Sequence, residues 1–323
     1  MPYMDKVRGR QAGAAPQFHK NDSYTILECD ADSLIYKVAA TTKTLEAAKR
    51  RMVQEALTLS FLADADITRL HLTPKHCEKA GRFNIIAEKP YQGNRANGKK
   101  PELVEPLRYA VGREQLHLPP EISIVFNNKY EADDSVVMGC EADPNAIFYS
   151  EDKDLDCLRN RKLCQHELKV LGRVNHLGWM LLKEMSQSKK VVGRGPAFFW
   201  AQMLMGDTAD NIKGIRKAHK KLCGPAKTFE LLLPFTNQME DSSLPHHFLA
   251  TYTEQDLARY VLTLYMEEGQ NPWPEAWLLW LYRTPDYNFY KHMQHLGLLD
   301  ESELGVWLKK QIKLPWFSKS ETG

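Results

Sequence analysis

The chain lacks several features that would place it in a specialised class. It has no apolar run of about 18 residues, the length that a membrane-spanning helix needs, so no membrane span is predicted. Its six cysteines form no Cys-X-X-Cys pair and no regular framework, which argues against a zinc module or a disulfide scaffold. No signal peptide and no internal repeat are recognisable. Free thiols in a reducing compartment are the simplest account, and we expect a cytoplasmic protein.

A strong net charge is also missing, but the charges are unevenly distributed. The net charge is +2, and hydrophobic residues make up 43% of the 323 residues, as in an ordinary soluble globular protein of one large domain or two smaller ones. Acids concentrate between Glu131 and Asp156, and bases at 82–113, 183–194 and 213–227. An acidic centre between basic stretches suits a polyanionic substrate that approaches a metal site, although any single stretch can equally be a solvated helix face.

The order of apolar runs predicts an α/β fold with a mainly parallel sheet, because strands alternate with helices. Residues 1–22 are predicted to be a mobile leader. The predicted strands lie at 25–30, 66–73, 122–126 and 145–150. Residues 74–120 have no clear period and contain several prolines and bases, as functional or disordered loops do. After about residue 197 the pattern becomes helical, with glycine turns and many tryptophans that we assign to core packing.

Three short clusters of carboxylates are the most informative motifs. Tyr-Glu-Ala-Asp-Asp occupies 130–134, Ser-Glu-Asp-Lys-Asp-Leu 150–155 and Gly-Asp-Thr-Ala-Asp-Asn 206–211, and a further acid ends the first predicted strand. Crowded carboxylates repel one another unless cations lie between them, and Mg²⁺ or Mn²⁺ prefers oxygen ligands. Each cluster alone has a plainer explanation as a helix cap or a turn. Together they predict a site for two or more divalent cations and phosphoryl-transfer chemistry. The predicted ligands are Asp30, Glu131, Asp133, Asp134, Asp152, Asp154, Asp207 and Asp210.

A second group of residues is typical of phosphate binding. Gly214 and the Gly-Pro-Ala-Lys-Thr run at 224–228 each precede or open a helical segment among many lysines. Backbone N–H groups at such turns can bind the phosphates of a duplex without side chains. Glycine turns between helices are common, so this signal is weaker than the acid clusters.

In their order and spacing, these blocks resemble the 5′-nuclease (flap endonuclease) family over about residues 24–235. The stretch 90–101 is most similar to the short 5′→3′ exonucleases of podovirus-type phages. The resemblance implies a PIN-like nuclease domain at 23–195, and a helix–three-turn–helix element with a C-terminal helical region at 196–323. It implies that the acids above are the metal-site residues, and that residues of about 75–120 form an arch through which a 5′ single strand passes. It also implies a K⁺ ion at the glycine turns.

The same resemblance implies DNA-binding residues, with Tyr91 stacking on a base. They are Arg82, Tyr91, Arg95, Lys99, Lys100, Lys213, Gly214, Gly224, Lys227 and Thr228. Two departures from the family pattern stand out. Thr73 occupies the end of the second strand, where the family carries an acid, and residues 216–223 are an insert between glycines that the family keeps close.

The implied activity is that of a metal-dependent 5′→3′ exodeoxyribonuclease with structure-specific endonuclease activity on flaps and RNA primers. It would serve phage DNA replication or host DNA degradation in the host cytoplasm. The expected partners are DNA with 5′ ends, nicks, gaps or flaps, and RNA–DNA hybrids. Two alternatives stay open, a non-catalytic duplex-DNA clamp of the same fold and a PIN-type ribonuclease. The sequence does not indicate an oligomeric state.

Overall fold

A central sheet of six strands organises the first half of the chain in this computed structural model, which describes residues 24–186, 188–236 and 252–316. The leader predicted at 1–22 lies outside the described residues. The strand order is β3-β2-β1-β4-β5-β6, and every neighbouring pair is parallel except β5 and β6. The strands are β1 (Ile26–Asp30), β2 (Ile67–Leu72), β3 (Ile122–Phe126), β4 (Ile147–Tyr149), β5 (Arg161–Cys164) and β6 (Lys169–Leu171). The predicted α/β fold with a mainly parallel sheet is confirmed.

Helices cover both faces of this sheet, which explains the apolar character of β1 and β4. The α-helices are α1 (Ala31–Thr41), α2 (Leu45–Ala63), α3 (Val104–Gly112), α4 (Ala132–Ala142), α5 (Pro196–Met205), α6 (Pro225–Leu232), α7 (Glu254–Glu268), α8 (Trp273–Leu279), α9 (Phe289–His295) and α10 (Glu303–Gln311). Helices α1, α2 and α3 bury Leu34, Met52 and Leu107 against one face. Helix α4 packs Val136 against Phe148 on the other. None of the helices in the described ranges is long and apolar enough to cross a bilayer.

Two β-hairpins interrupt the regions between the helices. Strands β7 (Trp179–Glu184) and β8 (Lys189–Arg194) pair antiparallel and lead into α5. The predicted insert at 216–223 contains a smaller hairpin of β9 (Lys217–Ala218) and β10 (Lys221–Leu222). Its two turn residues, His219 and Lys220, have φ of 50° and 63°. Positive φ at both central positions is typical of the tight turns that match strand twist, so the insert is an ordered hairpin between the glycine turns.

The C-terminal aromatic residues form a core, as predicted. Trp200 of α5, Trp273 of α8 and Phe289 of α9 are fully buried, and their rings contact one another edge-on or tilted. The same cluster includes Tyr91 and Tyr130 from the first half of the chain. This cluster is separate from the two apolar clusters that contain the strands of the six-stranded sheet, and Tyr91 and Tyr130 extend it to the first half of the chain.

The long segment expected to lack regular structure is partly helical. Helix α3 lies within it, together with 3₁₀ turns at Lys79–Asn84 and Gly93–Asn97. Two further 3₁₀ turns occur at Lys153–Cys157 and Leu233–Phe235. The turns at Lys79–Asn84 and Gly93–Asn97 each contact a predicted metal ligand, since Lys79 lies 3.0 Å from Glu131 and Arg95 pairs with Asp210.

Candidate metal centre

Asp30 occupies the carboxyl edge of the sheet because it is both the last residue of β1 and the N-cap of α1. Its Oδ1 accepts backbone N–H bonds from Asp32 at 2.9 Å and Ser33 at 3.4 Å, and its Oδ2 accepts from Ser150 Oγ at 2.8 Å. Burial, followed by repulsion from Asp32, raises the pKa of Asp30 to about 6. The carboxylate is thus placed where its negative charge is unfavourable.

Three aspartates from two separate turns lie close together. Asp154 lies in the 3₁₀ turn after β4, and Asp207 and Asp210 lie in the turn after α5; one oxygen of each lies within 4.8 Å of the other two. Burial, and then the charges of Asp152 and Asp207, raises the pKa of Asp154 to about 7 despite a neighbouring ammonium. Burial also raises the pKa of Asp210. Carboxylates at such distances need a cation between them to be charged together.

Asp133 and Asp152 extend this group towards Asp30. Asp133 begins α4, and Asp152 caps the 3₁₀ turn by accepting from the backbone N–H of Asp154 at 3.0 Å. Burial first, and then the charges of Asp30 and Asp152, raise the pKa of Asp133 well above its ordinary value. Asp30, Asp133, Asp152, Asp154, Asp207 and Asp210 therefore belong to one electrostatically coupled centre.

Two polar groups hold the centre together. Lys153 Nζ lies 2.8 Å from Asp154 Oδ1 and 2.6 Å from Asp207 Oδ2. Gln202 Nε2 donates to the same Asp154 oxygen at 2.6 Å. Sequence reasoning missed Gln202, although a glutamine within the apolar helix α5 was a signal, because a buried amide needs a polar partner.

The prediction that Asp134 is a metal ligand is wrong, because its carboxylate is turned away from this group. It is fully buried and binds Arg82 in bidentate fashion, with both N–O distances at 2.7 Å. The backbone N–H groups of Glu131 and Tyr282 occupy the same two oxygens at 3.2 and 3.0 Å. With four donors already bound, Asp134 anchors Arg82 and is not placed as a metal ligand.

The same contacts contradict the predicted DNA-binding role of Arg82. Arg82 is 2% exposed, and it also donates to the backbone carbonyl of Trp280 at 2.8 Å. An arginine enclosed in this way cannot reach DNA, so it links the 3₁₀ turn at 79–84 to the C-terminal helical region instead.

Glu131 lies between the metal centre and this buried pair. Lys79 Nζ is 3.0 Å from its Oε1, while Arg82 and the Tyr91 hydroxyl each lie 3.1 Å from its Oε2. Burial alone would raise the pKa of Glu131, but the two cations outweigh it and hold the pKa below its ordinary value. Lys79 was missed by sequence reasoning because nothing local distinguishes it from other surface lysines.

The structure also contradicts the predicted stacking of Tyr91 on a base. It is 8% exposed and its ring packs edge-on against Phe83 with centroids 5.5 Å apart. A ring with so little exposed surface offers no face to a nucleic-acid base, so the predicted stacking by Tyr91 is wrong for this structure.

The strand end that lacks the expected acid has a carboxylate from a neighbouring element. Thr73 is buried, and its Oγ1 accepts from the backbone N–H of Ala132 at 2.8 Å. Asp32 Oδ1 accepts from Thr73 N at 3.4 Å and lies 3.3 Å from an Arg108 nitrogen. Asp32 was missed by sequence reasoning; its spacing from Asp30, two residues along the chain at a helix start, was the available signal.

The glycine turns are tightly folded rather than open. Gly206 and Gly214 have φ of 74° and 71°, and a Cβ on Gly214 would lie 2.4 Å from the nitrogen of Gly206. Gly214 is buried and its carbonyl accepts from Gln270 at 3.0 Å. Thr228 is buried against Cys223. Gly214 and Thr228 therefore shape the turn and are not surface contacts, which corrects their predicted DNA-binding role.

The remaining predicted DNA-binding residues lie at the surface. Arg95 is exposed and forms an ion pair with Asp210 of the metal centre, and Lys99 and Lys100 are exposed beyond it. Lys213 pairs with Glu88 at 2.9 Å. Gly224 is half-exposed with open space around it, and Lys227 beside it pairs with Glu230 at 2.6 Å. Their binding role stays a prediction.

No protein-family model and no curated protein matches the chain. Among solved structures, a bacteriophage T5 flap endonuclease in a pseudo-enzyme-product complex with DNA and metal ions is similar at a TM-score of 0.48 and 14% identity, over 89% of this chain and 98% of that chain. A mutant T5 5′-exonuclease matches at 0.44 and 15%, over 90% and 92%. The catalytic core of Rad2 in complex with DNA substrate matches at 0.35 and 10%, over 66% and 61%. The first two names belong to the family that the motifs resemble.

Proposed function

We propose that this chain is a divalent-metal-dependent nuclease that hydrolyses DNA from the 5′ side, as a 5′→3′ exonuclease and as an endonuclease at flaps and RNA primers. The observation that carries the proposal is the meeting of Asp154, Asp207 and Asp210 within 4.8 Å at the carboxyl edge of a parallel sheet. Open α/β sheets place their ligand sites at this edge. A fold that gathers acids there, against their mutual repulsion, is suited to cations.

The donor set fits hard cations. All of the candidate ligands are carboxylate oxygens, which Mg²⁺ and Mn²⁺ prefer over nitrogen or sulfur. Asp154, Asp207 and Asp210 would hold one ion, and Asp30, Asp133 and Asp152 a second. Bound ions would supply charge neutralisation at the phosphate and a more acidic water.

Cationic side chains border the same centre and would position the phosphate. Lys153 lies between two of the acids, Lys79 lies beside Glu131, and Arg95 lies beside Asp210. In the folded protein these cations hold carboxylates, and a phosphate that approaches offers them a competing anionic partner. Arg95 is the most exposed of them and would meet the substrate first.

The wider assignments follow from the same proposal. Residues 23–195 would form the nuclease domain, and 196–323 would hold duplex DNA through Lys213, Gly224 and Lys227, with K⁺ at the turns. The substrates would be DNA with 5′ ends, nicks, gaps or flaps, and RNA–DNA hybrids, in phage DNA replication or host DNA degradation in the host cytoplasm.

The test is release of a 5′ label from nicked and flapped duplexes by the purified chain with and without Mg²⁺ or Mn²⁺. We expect metal-dependent release that is abolished in the double variant Asp152→Ala, Asp154→Ala. Asp286→Ala, an exposed aspartate in the C-terminal region, is the matched control and should behave as wild type.

The alternatives give different results in the same assay. Duplex binding without any cleavage would favour a structural DNA clamp, and cleavage restricted to single-stranded RNA would favour a ribonuclease. Label release without added metal, or unchanged release by the double variant, would overturn the proposed chemistry.

A further inference from the structure

A cavity of about 130 Å³ lies between the part of the chain that holds the six-stranded sheet and the C-terminal helices, and we call it the junction cavity. Residues within 137–160 and at 173 line one side, and residues within 196–199, at 254 and within 280–283 line the other. None of the predicted metal ligands, all of which lie in the described ranges, is among the lining residues. The junction cavity is therefore distinct from the metal centre.

Three arginines from three separate loops line this cavity. Arg159 precedes β5, Arg173 follows β6 and Arg283 follows α8. The acids among the lining residues are Glu141 and Glu254, so three guanidinium groups face two carboxylates and leave one excess positive charge. Guanidinium groups stay charged at every physiological pH, and their planar arrangement of donors matches the oxygens of phosphate. The composition of the lining thus favours an anion.

Two of these arginines have contacts that an anion can displace. Arg283 Nε lies 3.6 Å from Glu141 Oε1, which is beyond hydrogen-bonding distance, and its guanidinium group lies over the Trp280 ring, 5.0 Å from the centroid. Arg173 is exposed, and its Nη1 donates to the carbonyl of Pro144 at 3.3 Å. Charge-assisted bonds from arginine to phosphate are shorter, about 2.7–2.9 Å, and stronger than these contacts.

The two acids oppose an entering anion only weakly. Both oxygens of Glu254 are already bound, because Oε1 lies 3.0 Å from His292 Nε2 and Oε2 accepts from Arg159 at 3.3 Å. The Glu141 side chain is 42% exposed, so solvent screens its charge. The positive charges of Arg173 and Arg283 are therefore the less compensated ones.

The size of the cavity limits its ligand. Pockets for drug-sized molecules begin at about 300 Å³, whereas one water occupies about 30 Å³ in the liquid. A tetrahedral oxyanion such as phosphate fits the junction cavity, but a whole nucleotide does not. A larger molecule would reach it only through a phosphate group that projects inwards.

We propose that the junction cavity binds a small tetrahedral oxyanion, either inorganic phosphate or the phosphate group of a larger molecule, between Arg159, Arg173 and Arg283. The proposal goes beyond the nuclease function and does not depend on it, because neither DNA nor a divalent metal takes part. Arg159 and Arg173 belong to the part with the sheet and Arg283 to the C-terminal part, so a bound anion links the two parts and stabilises the folded chain.

The experiment measures the melting temperature of the purified chain without divalent metal, in about 10 mM phosphate and in chloride of equal ionic strength. We expect phosphate to raise the melting temperature by about 2 °C, which corresponds to a dissociation constant of about 1 mM for a chain of this length. Deoxyadenosine 5′-monophosphate at the same concentration distinguishes the two sources. A rise with inorganic phosphate alone identifies the free ion, and a rise with both identifies a projecting phosphate group; both results support the site.

Variants locate the bound anion. Arg173→Gln and Arg283→Gln should each lose at least half of the rise. Arg50→Gln changes an exposed arginine on α2 and should keep it. Arg95→Gln should also keep it, and this variant reports phosphate bound beside the metal centre instead. Because Arg173 is exposed, Arg173→Gln gives a folded test even if Arg283→Gln does not fold.

Three outcomes would overturn the proposal. The first is no rise in wild type. The second is an equal rise in wild type, Arg173→Gln and Arg283→Gln, which would be a general effect of the salt on the protein surface. The third is a rise that only Arg95→Gln abolishes, which would place the phosphate at the metal centre.

Discussion

Substitution of Asp134 by asparagine tests whether this acid is structural, in contrast to the proposed metal-site acids. In the folded protein Asp134 neutralises Arg82 through two contacts of 2.7 Å, and the two side chains are 0% and 2% exposed. Removing one partner of a buried pair leaves an uncompensated charge and costs about 3–5 kcal/mol. Glu131 stays 3.1 Å from Arg82 and offsets part of this loss, so we expect about 3 kcal/mol, the lower end of that range.

The assay is urea unfolding of wild type and Asp134→Asn in the absence of divalent metal. A loss of about 3 kcal/mol corresponds to a fall in melting temperature of about 4 °C for a chain of 323 residues. The neighbouring variant Asp133→Asn is the control with the opposite expectation. Burial and the adjacent acids raise the pKa of Asp133, so removing its charge at pH 8 should stabilise the metal-free protein.

Mn²⁺ titration of the same folded variants completes the comparison. Asp133→Asn should bind Mn²⁺ more weakly, whereas Asp134→Asn should keep wild-type affinity at a temperature where it is folded. An Asp134→Asn protein of unchanged stability that no longer binds Mn²⁺ would refute this reasoning, because it would make Asp134 a ligand.

Two further predictions concern groups outside the central acids. Burial alone would raise the pKa of Glu254, but His292 and nearby arginines outweigh burial and hold this pKa at about 2, below the ordinary 4.5. The carboxylate therefore stabilises the fold above pH 4.5, and this contribution is lost as the pH falls towards 2. Glu254→Gln should therefore cost about 3 kcal/mol at pH 7 and much less at pH 3, as measured by urea unfolding at both pH values; a pH-independent difference would contradict it. Asp32→Asn should weaken Mn²⁺ binding about ten-fold in calorimetric titration, because loss of a supporting carboxylate has an effect of this size. Adding Thr73→Asp should restore the Mn²⁺ affinity. If it does not, Asp32 does not replace the acid missing from the second strand.

Local patterns were sufficient to predict the edge of the sheet on which the site lies. Asp30 and Asp152 both come at or just after the end of an apolar run that predicts a strand. The ends of parallel strands lie together at the carboxyl edge of the sheet, so both acids were predicted at that edge. Asp133 and Asp134 were predicted alike, yet adjacent residues of a helix point about 100° apart. One therefore faces the metal centre and its neighbour the interior, and local sequence does not reveal which.

The role of Arg82 was predicted wrongly because it depends on contacts between distant parts of the chain. Arg82 lies in a segment without hydrophobic period, and its enclosure depends on the carbonyl of Trp280, which lies 198 positions along the chain. No local signal reports such a contact.

The electrostatics of the centre show how far the protein itself compensates for gathering these acids. Asp30 and Asp152 both accept N–H bonds as caps, and helix starts favour negative charge. Lys153 adds a positive charge between Asp154 and Asp207. The pKa of Asp30 and that of Asp154 nevertheless stay raised, to about 6 and about 7, because burial and mutual repulsion exceed these contributions. The charged form of the centre is thus incompletely stabilised by the chain alone, and additional positive charge from divalent ions is what its geometry is suited to accept.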